Sequence, residues 1–340
     1  MNYTEVLENA KKNIGPNCKV CPVCNGLACG NTLPGPGSKP PGNGANDNYN
    51  AWRKYKLNMD TIVPNTEIDT SSELFGKVLS FPLLTAPVGS IRLQYNPSDD
   101  VRDFNEQCLA ACESRGIMHF YSSGLNDEVH VSAIKSRIDH NNSGLPVINP
   151  EADDKIIAQI NRCRETLPPP AICVVVDSAG LPHLKECHGS GGTKSVEQLK
   201  MLREKSGVPF VVKGVMTAAS ALKAVDAGAA AIIVSNHGGR VLADTPATAD
   251  VLAEIADAVN GRAKIIVDGG IRSGIDMFKA YALGADFCMI CRPVLISYYG
   301  GGQEALECYF DKLKAELTDT MYMCGARSIS DIDRSMIRKA

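Results

Sequence analysis

Ser235-Asn236-His237-Gly238-Gly239-Arg240 sets a proton carrier, two glycines and a cation side by side. The histidine can move a proton near neutral pH. The glycines let backbone approach a ligand and turn sharply. The arginine can hold a carboxylate through two parallel hydrogen bonds. The apolar run Ala229–Val234 comes just before and reads as a fully buried strand. Proton transfer on an acidic substrate is the chemistry such a kit suits. The plainer alternative is a glycine-rich turn that happens to carry a histidine, but the rest of the chain supplies a matching scaffold.

A second group has the character of an anion site. Asp268-Gly269-Gly270-Ile271-Arg272-Ser273-Gly274 follows an apolar run and opens a helical pattern. Glycine N–H groups and a helix N-terminus together favour phosphate. Arg292, just after Phe287–Ile290, can pair with that charge. No G-x-G-x-x-G follows an early strand, so a dinucleotide site of the Rossmann kind is not supported.

The third group is cysteine. Cys18, Cys21, Cys24 and Cys29 form two C-x2-C steps sharing Cys21, with a fourth thiol five positions later. Such spacing suits zinc or an iron–sulfur cluster, and a redox dithiol is also open. Residues 31–50 are rich in Gly, Pro and Asn and read as an extended loop. If that loop packs over the site, it supplies one wall of it.

These groups need elements to position them. Apolar runs recur at 81–86, 117–121, 145–148, 171–176, 209–212, 230–234, 264–267 and 287–290. Helical patterns lie between them, at 195–205, 218–227, 248–259 and 275–283 among others. Alternating strands and helices in eight units predict a closed α/β barrel of the (β/α)8 (TIM) kind, and a doubly wound open sheet is the alternative. The third run holds Pro146 and is followed by Pro150, so it makes the weakest strand. An internal repeat supports the barrel: residues 214–229 align without gaps to 270–285, and Gly228 and Gly284 each close a helix in the left-handed conformation. In a barrel the C-terminal strand ends line the active site. Those ends here carry Pro87-Val88-Gly89, Ser122-Ser123, Asp177, Lys213, the 235–240 segment, Asp268-Gly269-Gly270 and Arg292. The expected organisation is a cysteine-rich N-terminal extension, residues 1–50, before a barrel at 51–340.

Composition bounds the rest. The chain has 340 residues and a net charge of −3 with no basic block, so no nucleic-acid surface is indicated. Met1–Lys12 lacks the apolar core of a secretory signal, and no apolar run reaches membrane-spanning length. A cytoplasmic protein is expected. The cysteine count is odd, at 13, and Cys173, Cys288 and Cys291 sit in apparent core strands as small hydrophobes.

The runs Val234–Arg240, Pro246-Ala247-Thr248, Val267–Gly274 and Arg292-Pro293-Val294 resemble the signature of the FMN-dependent 2-hydroxy-acid oxidases and dehydrogenases, which include glycolate and lactate oxidases. Met323–Ser328 looks like that family's final helix. The likeness is dense from 208 to 337, thinner from 48 to 180, and not visible before 42. It implies FMN in a (β/α)8 barrel, a small substrate bearing a carboxylate, and a homo-oligomer, usually a homotetramer. By that resemblance Lys213 sits beside the flavin ring. Pro87, Val88, Gly89, Ser122, Ser123 and Ser235 surround the ring, while Asp268, Gly269, Gly270, Arg272, Cys291 and Arg292 surround the ribityl chain and phosphate. His237 is the catalytic base, Asp177 orients it, and Arg240 binds the substrate carboxylate. The plainer role for Asp177 is a helix cap.

The chain also departs from the pattern. The second substrate arginine after strand four is missing, and His183 or Lys185 are the candidates to replace it. The N-terminal tyrosine gives way to Lys39-Pro40-Pro41-Gly42, the strand-three tyrosine to Asn149, and the strand-two aromatic to Gly124. Cys291 stands where the family usually has glycine. Only residues 178–193 follow strand four, so the site is expected to be more open. A non-redox flavin isomerase, like the type 2 isopentenyl diphosphate isomerases, and a flavin-binding sensor are the competing functions.

Overall fold

Each apolar run of the sequence becomes a parallel strand of one closed barrel. The computed structural model describes residues 1–124, 126–181, 184 and 191–340. The strands are β1 (Leu83–Thr85), β2 (Met118–Ser122), β3 (Gly144–Ile148), β4 (Ile172–Val175), β5 (Phe210–Val215), β6 (Ala231–Val234), β7 (Lys264–Asp268) and β8 (Phe287–Ile290). Neighbours in sequence are neighbours in space, and β8 closes on β1 with Cys288 opposite Leu83. Side chains alternate across the wall: Ala231 and Ile233 fill the barrel interior, while Ile232 and Val234 join the layer under the helices. Pro146 is accommodated because the β3–β4 register begins only at Val147 opposite Cys173.

Helices follow the strands: α3 (Val101–Ser114), α4 (Asp127–Asp139), α5 (Asp153–Arg164), α6 (Val196–Ser206), α7 (Ala218–Asp226), α8 (Thr248–Val259), α9 (Gly274–Ala282) and α10 (Arg292–Cys324). Local chemistry sets their ends. Ser195 and Gln198 make a reciprocal capping box at the start of α6. Gly228 and Gly284 take φ of 86° and 104° after α7 and α9, as the repeat predicted. α10 is interrupted at Gly301 and Gly302. Gly325 caps it at φ 83°, so Met323–Ser328 spans the end of this last long helix and the turn beyond it.

The expected boundary at 50/51 falls inside a helix. α1 (Tyr3–Asn13) buries Val6 and Ala10 against α10, and α2 (Gly44–Arg53) buries Ala45, Asn48, Ala51 and Trp52. Trp52 Nε1 donates to the Gly269 carbonyl at 2.8 Å, and Arg53 pairs with Asp276. Tyr55–Leu57 forms an antiparallel pair with Ile337–Lys339. The first fifty residues therefore do not form a detached extension: they are packed into the barrel's outer layer. The reason is apolar spacing, since both helices carry buried faces that need a partner.

α2 lies so close to the β7 turn that Gly270 has no room for a side chain. A Cβ there would stand 2.2 Å from the Asn48 carbonyl oxygen, and φ is already 78°. Gly270→Ala is expected to destabilise the fold by about 1–3 kcal/mol through overpacking and left-handed strain. Chemical denaturation checks this; an unchanged midpoint would show that α2 yields freely.

Candidate active site

The β4 and β6 ends bring the acid–base pair together. Asp177 opens a short turn after β4, and His237 follows β6. His237 Nδ1 and Asp177 Oδ1 are 3.1 Å apart. Asp177 approaches over Gly214, where a Cβ would lie 2.6 Å from the carboxyl group, so β5 needs glycine there. His237, Gly238 and Gly239 take successive φ values of 57°, 65° and 77°. That run turns the histidine inward, and the Ser235 hydroxyl accepts its backbone N–H at 3.1 Å. With Nδ1 engaged, Nε2 is left for a substrate. Burial alone would raise the Asp177 carboxyl pKa; His237 and Lys213 outweigh it and hold it below the ordinary value.

A cation sits beside this pair. Lys213 is 3 % exposed on β5. Its Nζ donates to Ser235 Oγ at 2.8 Å and lies 3.4 Å from Asp268 Oδ2. Ser235 Oγ donates in turn to Asp268 Oδ2 at 2.9 Å. Burial would strip the lysine of its proton, but the carboxylates of Asp268 and Asp177 reverse that and raise its pKa. Lys213 is thus a fixed positive charge at neutral pH.

Pro87, Val88, Gly89, Ser122, Lys213, His237, Arg240, Asp268, Gly269, Gly270, Arg272, Cys291 and Arg292 all line one cavity at the C-terminal rim. Asp177, Ser123 and Ser235 stand behind it. Ser235 has a positioning task, while Ser123, expected at the flavin, is buried away from the cavity with its N–H on the Val147 carbonyl. Cys291 is not in the β8 core as expected. It caps α10 and faces the cavity, because β8 ends one residue earlier.

The cavity fits an FMN-type phosphate cofactor. Arg272 Nη2 is buried with no hydrogen-bond partner among the described residues, which is the state of a donor waiting for an anion. The Gly269-Gly270 turn, with φ of 121° and 78°, exposes backbone near the start of α9. Gly89 faces open space, its nearest neighbour being Ser122 Oγ at 3.5 Å from a hypothetical Cβ.

Arg240 is placed differently from the sequence expectation. Its Nη1 donates to the carbonyls of Gly35 and Gly37, the latter at 3.2 Å, and Nη2 donates to Gln94 Oε1 at 2.8 Å. The two-pronged face expected for a substrate carboxylate is largely spent inside the protein, leaving Nε–H and one Nη2–H. Burial, followed by the like charge of Arg292, lowers the Arg240 pKa to about 10. Arg292 is held by the same N-terminal segment on one side, Nε donating to the Pro36 carbonyl at 2.8 Å, and by the histidine turn on the other, Nη2 donating to the Gly238 carbonyl at 3.0 Å. Lys39 N donates to the Gly239 carbonyl at 2.8 Å. Residues 35–39 therefore lie against the His237–Arg240 turn and brace it, but they do not themselves line the cavity, so the wall expected from the altered tyrosine region is not formed by them.

Sequence reasoning missed three contributors. Gln94 and Tyr95 line the cavity from the segment after β1. Asn48 exchanges amide hydrogen bonds of 2.7 and 3.1 Å with Asn236, locking α2 to the histidine turn. The Asn-rich stretch before Trp52 was the only trace of the last. Asn149 does reach the cavity. At Gly124 a side chain would meet Val129 at 2.4 Å, so an aromatic is sterically barred. His183 and Lys185 lie outside the described residues.

The structure shows no preformed site for the zinc or the iron–sulfur cluster expected at Cys18, Cys21, Cys24 and Cys29. Among the described residues no three His, Cys, Asp or Glu side chains are arranged to hold a metal ion.

Rim chemistry, a glycine cradle and a buried cation on a (β/α)8 barrel define a flavin-type oxidoreductase. The chain belongs to the FMN-dependent dehydrogenase family, which matches residues 37–188 and 184–339. It is 32% identical over 327 residues to a peroxisomal (S)-2-hydroxyacid oxidase of Arabidopsis thaliana, covering 86% of this chain and 87% of that one. An L-lactate oxidase of Lactobacillus jensenii is 46% identical over 138 residues, 41% of this chain and 34% of its own. A mandelate oxidase mutant with a monooxide FMN adduct superposes with a TM-score of 0.73 at 26% identity, over 90% of this chain and 94% of that one. A lactate oxidase of Pediococcus acidilactici shares the fold with a TM-score of 0.79 at 24% identity, over 100% of this chain and 95% of that one.

The lowered Asp177 pKa has a stability consequence. Its folded-state stabilisation is present above the unfolded carboxyl range, about 3.9, and is lost as pH falls through the lower folded value. Urea midpoints of the native protein should fall more steeply below about pH 5 than those of Asp177→Asn. Parallel curves would contradict the lowered value.

Proposed function

We propose that the protein oxidises a 2-hydroxy acid to the 2-oxo acid, with FMN as cofactor and His237 as base. The observation that carries this is His237, held from behind by Asp177 at 3.1 Å, facing the same cavity as Lys213 and the Gly269-Gly270 turn. Arg272, Arg292 and the glycine turn would hold the phosphate, while Pro87–Gly89 and Ser122 would border the ring. Lys213 would place its charge against the ring. When bound, FMN takes the two electrons that leave the substrate.

The chain's own part is proton handling. His237 Nε2 takes a proton from the substrate, and Asp177 accepts the Nδ1–H bond and stabilises the imidazolium that results. Arg240 offers the substrate carboxylate its two remaining protons. Leu181 and Leu184 give the cavity an apolar side, which favours a 2-hydroxy acid with an apolar side chain over glycolate. We place the protein in the cytoplasm as a homo-oligomer, a tetramer by the family resemblance; among the described residues no helix is long and apolar enough to cross a membrane. Light scattering decides the assembly.

His237→Asn is the test. Anaerobic addition of a 2-hydroxy acid should bleach the flavin of the native protein. The variant should keep its flavin spectrum and bleach on the order of 10²–10⁴-fold more slowly. A native flavin that no 2-hydroxy acid bleaches would overturn the oxidase reading in favour of non-redox use.

A further inference from the structure

Four thiols unused by this reaction meet at a second cavity. Cys18, Cys21, Cys24 and Cys29 all line it, and all are free. Tyr95 and Arg292 line both this cavity and the flavin cavity, so the two share a wall one side chain thick. The loop bearing the cysteines is built onto the phosphate end of the site. Arg272 Nε donates to the Cys24 carbonyl at 2.5 Å, and Asn43 and Asn46 donate to the carbonyls of Gly26 and Asn25, each at 2.9 Å. At Gly26 a Cβ would lie 2.9 Å from Ala45, so the loop is pressed against α2.

Three uses of such a thiol set can be separated. A single tetrahedral ion needs sulfurs about 2.3 Å from one centre, and no such arrangement exists among the described residues. Dithiol exchange uses two thiols and leaves the other two of this cavity without a task. A polynuclear cluster is bound by four thiolates, and metal binding itself drives off the protons. Lys19 and Arg292 supply positive charge in the cavity wall. The Cys-x2-Cys-x2-Cys run followed by a fourth cysteine is a cluster-type spacing.

We propose that Cys18, Cys21, Cys24 and Cys29 hold an iron–sulfur cluster behind the Tyr95–Arg292 wall, and that it passes electrons from the flavin site to a one-electron acceptor protein. The second half rests on the flavin reading of the first cavity. Oxidation of one substrate molecule releases two electrons and two protons. The cluster is reduced and reoxidised by one electron twice, the acceptor protein is reduced twice, and both protons go to solvent. No bond to the cysteines changes.

The full-length protein is purified without oxygen, and iron, acid-labile sulfide and FMN are measured on one sample. About four iron and four sulfide per chain are expected, with a paramagnetic signal after dithionite. Cys21→Ser and Cys24→Ser should each lose on the order of tenfold in iron while FMN is retained; Cys308→Ser, remote from the cavity, should keep both. A substrate that bleaches the flavin should also raise the cluster signal. A protein with full FMN but no iron and sulfide, even after reconstitution with ferrous iron and sulfide, would overturn the proposal, as would stoichiometric zinc. A cluster left oxidised while substrate bleaches the flavin would overturn the relay. A cluster without any flavin would instead count against the reading of the first cavity.

Discussion

A lysine ammonium inside a barrel is tolerable only if other charges are held close to it, and the site is arranged around that requirement. Lys213 comes from β5, Ser235 from the end of β6, Asp268 from β7 and Asp177 from the end of β4. Four consecutive strands thus contribute to one charge balance. The Ser235 hydroxyl joins the lysine, the aspartate and the backbone of His237 in a single node. The histidine's orientation follows from the same node that keeps the cation charged. Any chemistry done at His237 is therefore done in the field of a permanent positive charge.

Close backbone approach is the second constraint. Gly44 and Gly239 face each other so tightly that a Cβ on either would lie within 2.8 Å of the other's Cα. This contact seats α2 and the 35–39 strap on the rim. The strap's carbonyls then satisfy Arg240 and Arg292, two buried guanidinium groups that need acceptors. The N-terminal residues are consequently part of the site's electrostatics and not an appendage.

The eight strands were legible because each is a short apolar run, and a barrel demands that they be buried on both faces. The rim residues were legible because strand ends point one way. The inward hydrogen bonds of Arg240 were not legible for a definite reason: the carbonyls that accept them lie some 200 positions earlier, and no local pattern announces an acceptor so far away. Gln94 and Tyr95 were missed because they end and cap a four-residue helix with no periodic signal. The 50/51 boundary failed because a glycine- and asparagine-rich stretch folded as a helix, capped by Asn43 and held by Trp52.

The pairing of Tyr55–Leu57 with Ile337–Lys339, and of α1 with α10, sets an order of events during synthesis. α1 finds its partner only in α10, and Tyr55–Leu57 only in Ile337–Lys339, far later in the chain. Until then α1 has no surface on which to bury Val6 and Ala10. The cysteine loop between α1 and α2 is held at one end by a helix waiting for its dock and at the other by a turn, at Gly269-Gly270, that is translated more than two hundred residues later. Its thiols are therefore brought together only once both of its ends have docked. All four stay partly exposed in the finished fold, so whatever binds there can still enter after docking.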